Sequence, residues 1–342
     1  MSLKLSLCIP AFNRGPFIGE TLESIISQAA DEVEIVIVDG ASTDNTQDIV
    51  SGYQRRFSRL RYYRGEQNMG FDRDLQKSVE LAEGEYCWLM CSDDVLRTGA
   101  IAAVMDAIRQ GHALIIVNAE VRNQDLSKIL QKSILQGDAD RVYKPEDAEE
   151  FFIDTASYLS YLGAIIIKKP LWDSREKQCY LDTALLHTGV VFQSPIPTTA
   201  LVLAAPLISI RYGNATWSPR AFEIGAFHWP KIIWSFRDYS DSAKSQVCMR
   251  EGWRDIRMLI FHRATGAFST KEYDHWIRPY SGYRYSKLLA RGISVIPGRF
   301  LNFLCVVYFT MRSNRGAQLV DLKRNRFYWL KRFSRIPSPT NS

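Results

Sequence analysis

Over residues 1–120, short apolar runs alternate with amphipathic stretches. Leu5–Pro10 has the pattern of a buried strand closed by Pro10. Gly15-Pro16 opens a helix, because proline suits the first helical position, and Phe17, Leu22, Ile25 and Ile26 follow near helical spacing. The β-branched run Val33–Val38 predicts a second strand. Asp44 and Gln47, at capping-box spacing, introduce a helix over Thr46–Arg56. A short strand at Arg61–Tyr63, a helix over Phe71–Ala82 ended by Gly84, a strand at Tyr86–Met90, a helix over Thr98–Gln110 and a strand at Leu114–Asn118 continue the alternation. Nearly continuous apolar strands separated by helices predict an α/β fold with a doubly wound, mostly parallel sheet.

Glu120–Lys144 is polar and predicts an irregular connection. Ala164–Ile167, Ala200–Leu203 and Leu207–Ile210 have strand character, with a helix candidate over Asp182–Phe192. Beyond Pro219 the chain turns aromatic-rich and helical, which sets the expected division at 1–218 and 219–342. The 46% hydrophobic and 23% charged content excludes a disordered chain. No apolar run reaches the roughly 18–20 residues needed to span a bilayer, and the N-terminal apolar stretch is too short for a signal peptide. Six cysteines lie scattered, with no CxxC pair or Cys/His cluster. Reduced thiols and a cytosolic location are the expectation.

In doubly wound sheets, ligands sit beyond the carboxyl ends of the strands. That rule selects four loops: Pro10–Arg14, Asp39–Asp44, Gly65–Arg73 and Cys91–Asp94. Ser92-Asp93-Asp94 ends one strand, and adjacent carboxylates repel unless a cation sits beside them. Hard dications favour one or two carboxylates plus phosphate oxygens, although a solvated turn capped by Asp94 also explains the pair. Asp39 at a strand tip can accept from a nucleobase or ribose, or simply form an Asp-Gly turn. Pro10, Ala11, Phe12 and Asn13 could border a nucleotide. Gly70 permits close backbone approach, and Arg73 could reach a phosphate or base.

The order and spacing of SLCIPAFNR, VEIVIVDGASTDNT, EQNMGF and GEYCWLMCSDD resemble the family 2 glycosyltransferases. The likeness covers about the first 100 residues, and O-antigen-type, abequosyltransferase-like members look most similar. It implies a GT-A fold and inverting transfer of a hexosyl or deoxyhexosyl group from a nucleotide-diphosphate-sugar to a saccharide, which O-antigen enzymes take on a polyprenyl diphosphate lipid. By resemblance, Ala11 and Asn13 border the nucleotide and Asp39 contacts the base. Arg73 lies near the nucleotide, Asp93 faces ribose or metal, and Asp94 is the main ligand of Mg²⁺ or Mn²⁺. Cys91 stands where the family often has an Asp.

The family's usual Glu-Asp base pair is missing from Tyr180–Gly189, leaving Asp182 and His187 as candidate bases. An imidazole with an ordinary pKa suits proton removal near neutrality, yet a core histidine and a helix-capping Asp182 explain the residues equally. Arg211, in the segment Arg211–Trp217, could neutralise a departing diphosphate, while Tyr212 and Trp217 read as structural.

Charge adds a further division. The net +6 splits into +7 over residues 312–342 and −1 over the rest. Basic residues interleaved with aromatics over Lys323–Phe333, after the apolar Gly298–Met311, suit an anionic membrane surface. The expected location is therefore peripheral, on the inner face of the cell membrane, with no nucleic acid as partner. The alternatives are a nucleotidyltransferase, which would need a glycine-rich triphosphate loop that Pro10–Arg14 lacks, and a nucleic-acid-binding protein acting through its tail.

Overall fold

A computed structural model of the chain describes residues 3–214, 218–311 and 316–328. Trp217, Arg312, Arg315, Lys331, Arg332 and Arg335, within segments named above, lie outside the described residues.

The strands are β1 (Leu5–Ala11), β2 (Val33–Asp39), β3 (Leu60–Arg64), β4 (Tyr86–Leu89), β5 (Val95–Leu96), β6 (Leu114–Arg122), β7 (Ile129–Gln131), β8 (Arg141–Tyr143), β9 (Ile165–Lys168) and β10 (Ala200–Arg211). They form one sheet in the order β3-β2-β1-β4-β9-β6-β10-β5, with β7 beside β6 and β8 beside β10. β1 to β4 are mutually parallel, and β6 pairs parallel with β10. β9 runs antiparallel between β4 and β6, and β5 antiparallel to β10. The expected parallel, helix-connected sheet is present in β1–β4, and antiparallel β9 and β5 make the whole sheet mixed. An apolar run such as Ile165–Ile167 is buried on both faces in either direction, so its composition carries no sign of orientation.

Helices α1 (Gly15–Ile26), α2 (Thr46–Gln54), α3 (Phe71–Leu81) and α4 (Ala100–Arg109) match the expected segments to within two residues at each end. α1 carries its proline in the first turn and buries Ile18, Leu22 and Ile25. The N-cap of α2 is Asn45, without a side-chain cap bond; Asp44, just before it, accepts from the Thr46 N–H and hydroxyl through one oxygen and from the Gly15 N–H through the other, tying the starts of α1 and α2 together. The Glu120–Lys144 connection is more ordered than expected, holding the end of β6 and the short edge strands β7 and β8. α5 (Ala148–Thr155), α6 (Lys169–Ser174) and α7 (Leu186–Phe192) complete this part. The helix candidate 182–192 begins only at Leu186.

The chain divides into two compact units, Met1–Arg211 with Lys231–Cys248, and Tyr212–Pro230 with Met249–Ser342. This differs from a single cut at 218, because 231–248 returns to the first unit. There Phe236 and Tyr239 pack against Phe152 and Phe192 with ring centroids 4.4–6.4 Å apart, a burial that the linear sequence does not reveal. The second unit is helical and has its own core, including Phe222, Trp253, Phe268 and Ile277.

Candidate functional site

The loops chosen from the sequence all leave the carboxyl ends of parallel strands in the first unit. β1 and β2 end in register at Ala11 and Asp39. Their loops are laced together: Asn13 N–H donates to Ser42 Oγ (2.8 Å), Asn13 Oδ1 accepts from Thr43 N–H (2.8 Å), and Arg14 N–H donates to Thr46 Oγ1 (2.8 Å). Asn13 and Ala41 hold positive φ, +52° and +62°, a local cost that the cross-links offset. Pro10 and Ala11 are buried beneath this turn, and Phe12 is exposed above it.

Asp39 is fully buried, with Oδ1 accepting from Ser42 N–H (2.7 Å) and Oδ2 from the Tyr62 hydroxyl. Beside it lies a residue that the sequence did not single out. Asp74, on the first turn of α3, is only 7% exposed, and its carboxyl has no hydrogen-bond partner among the described residues. Burial, aided by the Asp39 charge, raises its pKa to about 7. A neutral carboxyl can donate as well as accept. A Cβ at Gly40 would come within 2.5 Å of Asp74 Oδ2, so a larger residue there would push the Asp74 carboxyl aside. In the sequence, Asp72 and Asp74 read as first-turn acids favoured by the helix dipole, which masks this pairing.

The acidic pair sits beyond β4. Cys91, Asp93 and Asp94 place their ligand atoms within 4.8 Å of one another. Asp94 is buried, with Oδ1 accepting from the Arg211 N–H and Oδ2 from the Tyr161 hydroxyl, both at 2.7 Å. Burial and the Asp93 charge raise the Asp94 carboxyl to about 7 despite those bonds. Burial and the two carboxylates also push the Cys91 thiol up, keeping it protonated. A protonated sulfur is a poor ligand for a hard cation, whereas two adjacent carboxylates in a buried loop fit one. The residues present therefore suit Mg²⁺ or Mn²⁺ held by Asp93 and Asp94, without Cys91. Ser92 is buried between Cys91 and Asp93.

Arg211 departs from the expected diphosphate contact. It is 6% exposed, and its guanidinium is used within the protein: Nε donates to the Asp93 carbonyl (2.8 Å), Nη1 to the Gln124 carbonyl (2.6 Å), and Nη2 to the Glu20 carboxylate. The group also lies 5.2 Å over the Phe17 ring. Arg211 is a positioning residue for the acidic loop, and no free face remains to meet a phosphate.

The candidate bases separate clearly. His187 is 1% exposed on α7, with Nε2 on the Ser160 carbonyl (3.1 Å) and burial lowering its pKa to about 4. A neutral imidazole closed inside the core does not reach an acceptor hydroxyl, so the histidine expected as a base is a packing residue. Asp182 is exposed, stands at φ +65°, and pairs through both oxygens with the Arg73 guanidinium. Arg73 thus meets Asp182. Gly70, at φ +93°, starts the helix that presents both Arg73 and Asp74. The buried Asp72 carboxylate accepts from Ala184 and Leu186 N–H, fixing the Asp182 loop against α3.

Residues 6–165 match the family description Glycosyl transferase family 2. The chain is 31% identical over 231 residues to the abequosyltransferase RfbV of Salmonella typhimurium, covering 63% of this chain and 69% of that protein. It is 27% identical over 139 residues to the GalNAc(5)-diNAcBac-PP-undecaprenol beta-1,3-glucosyltransferase of Campylobacter jejuni, covering 40% of this chain and 45% of that one. In structure it is similar to S. aureus TarS 1–349 in complex with UDP-GlcNAc, at TM-score 0.55 and 17% identity over 94% of this chain and 91% of that chain, a likeness of fold. A mixed α/β sheet of this form, with carboxylates beyond β2 and β4 and these relatives, places the chain in glycosyl transferase family 2.

Proposed function

We propose that this glycosyltransferase moves a hexosyl or deoxyhexosyl group, with inversion, from a nucleotide-diphosphate-sugar to a saccharide on a polyprenyl diphosphate, in surface polysaccharide synthesis of the O-antigen type. The observation that carries the reading is the arrangement of Asp39 at the carboxyl end of β2 with Asp93 and Asp94 just beyond the carboxyl end of β4. The undecaprenol-linked substrate named for the Campylobacter relative and the UDP-GlcNAc bound by TarS support the acceptor and donor classes.

In this reading Asp39 accepts an N–H from the base, with Asp74 beside it, and the β1–α1 turn at Pro10–Asn13 borders the nucleotide. The Asp182 carboxylate, oriented by Arg73, takes the acceptor hydroxyl proton as that oxygen attacks the anomeric carbon. The bond from that carbon to the diphosphate oxygen breaks, and its electron pair leaves with the nucleoside diphosphate. Asp93 and Asp94 would hold Mg²⁺ or Mn²⁺, which when bound supplies charge neutralisation to the leaving diphosphate. Arg211 and Tyr161 keep Asp94 aimed. A polyprenyl-linked acceptor offers its hydroxyl near the bilayer, which puts the enzyme at the inner membrane face, with Lys323, Arg324 and Arg326 adding attraction to anionic lipid.

A melting-temperature screen of nucleoside diphosphates with and without Mn²⁺ tests the donor site. A ligand at 100 times its Kd stabilises by about 2.7 kcal/mol. Asp94→Ala is expected to fold, to lose the Mn²⁺-dependent part of the shift and to abolish transfer. Undiminished transfer by Asp94→Ala in excess chelator would overturn the metal assignment.

A further inference from the structure

Within the second unit, the helix Gly298–Thr310 buries one stripe, Gly298, Leu301, Asn302 and Cys305, and leaves an apolar one in solvent. Phe300, Phe303, Leu304, Val307, Tyr308 and Met311 recur at helical spacing on that exposed face, each 44–79% exposed. The preceding helix, Arg284–Val295, exposes Tyr285, Leu288, Leu289 and Val295. The two helices meet at 96°. Ten large apolar side chains are thus exposed on two successive helices, and exposed apolar patches of this kind mark interaction surfaces.

Charge narrows what can cover this face. No acidic residue occurs between Asp274 and Asp321, while Arg278, Arg284, Lys287, Arg291 and Arg299 lie in that interval among the described residues, and of these Arg278 and Arg291 pair with Asp274. Arg299 adjoins Phe300 on the exposed face, and neither Arg284 nor Arg299 has an ion-pair partner among the described residues. A second copy would set cation against cation, and a nucleic acid would leave the aromatic and aliphatic stripe without a use. An anionic bilayer satisfies both features, taking the apolar stripe into its headgroup–acyl boundary while the arginines stay at phosphate depth. The 13-residue Gly298–Thr310 helix is about 20 Å long, short of the roughly 30 Å hydrocarbon core. It suits lying in the interface plane, and no single helix among the described residues is long and apolar enough to cross.

We propose that the bent pair Arg284–Val295 and Gly298–Thr310 is a membrane wedge that seats its exposed apolar face in an anionic lipid surface. This deepens the membrane-surface part of the proposed function, moving the principal contact from the basic tail to the helix pair.

The test uses the full chain and vesicles of equal phosphatidylglycerol and phosphatidylcholine, read by co-sedimentation. The wild type is expected to bind these and to bind pure phosphatidylcholine far less. Phe300→Asp/Phe303→Asp should weaken partitioning at least about tenfold, and Arg299→Gln a few-fold, with unchanged melting temperature. Phe303→Ser and Val307→Ser, milder changes at half-exposed positions, provide the same comparison should the double variant melt early. Unchanged partitioning of folded variants overturns the wedge. So does light scattering that shows a dimer dispersed by the same substitutions, or RNA retention that depends on Phe300 and Phe303. If only replacing Lys323, Arg326, Lys331, Arg332 and Arg335 by glutamine abolishes vesicle binding, the membrane reading stands and the wedge falls. If the wild type binds no vesicles, both fall. Nucleoside diphosphate binding, measured alongside, depends on neither outcome.

Discussion

Replacing Asp74 by asparagine tests whether the pocket beside Asp39 holds a strained carboxyl. The Asp74 pKa rises from 3.8 in a free chain to about 7 in the folded protein. At about 1.36 kcal/mol per unit, the ionised form costs up to roughly 4 kcal/mol in the fold. Residual contact with water reduces this to an expected cost of about 2 kcal/mol. Between the two pKa values the unfolded chain has released its proton while the folded protein retains it, so stability falls as pH rises through that window and is level above it. The amide of Asp74→Asn has no proton to release, so the variant lacks this slope. It should therefore match the wild type near pH 4 and gain on it up to about pH 7. From pH 5 to pH 8 the gap should widen by about 1–2 kcal/mol, with each kcal/mol moving Tm by roughly 2–4 °C. Thermal melts at pH 5, 6, 7 and 8 measure it. A gap that stays constant with pH, or a variant less stable than wild type at pH 8, would refute the reasoning.

Three substitutions bear on the proposed chemistry. Asp39→Asn should weaken nucleoside diphosphate binding by about 10–100-fold, since it replaces a charged acceptor; titration calorimetry measures this, and unaltered affinity counts against base recognition. Asp182→Asn should lower kcat by about 10²–10⁴-fold, the range of general-base contributions, with donor binding retained. His187→Asn should lower Tm yet leave the acid limb of the pH–rate profile in place. Loss of that limb would return the base role to the histidine.

Strands β1–β4 and β6 and helices α1–α4 were legible because buried parallel strands are continuous apolar runs and proline, glycine and aspartate punctuate them. The four ligand loops followed from strand ends alone. What the chain concealed depends on pairing across long separations. Asp94 is fixed by Tyr161 and by Arg211, which lie 67 and 117 residues away, and no local pattern connects them. Arg211 looks like a phosphate ligand until Glu20 and the Asp93 and Gln124 carbonyls occupy its nitrogens. His187 differs from a catalytic histidine only in burial, which neighbouring residues in sequence do not determine. Gly298–Met311 has the composition of a core helix, and only the packed structure shows half of it facing outward.

The return of 231–248 to the first unit has a consequence for how this protein can be divided. Following the chain, one passes from the sheet unit to the helical unit, back, and out again. A single cut at any point therefore strands a piece of one unit on the wrong side. Recombination that exchanged the helical unit for another would need three matched junctions, not one, and would still have to preserve the seat of Phe236 and Tyr239 on Phe152. Because the two units alternate along the chain, the helical unit is expected to change by substitution within it more readily than by replacement of it.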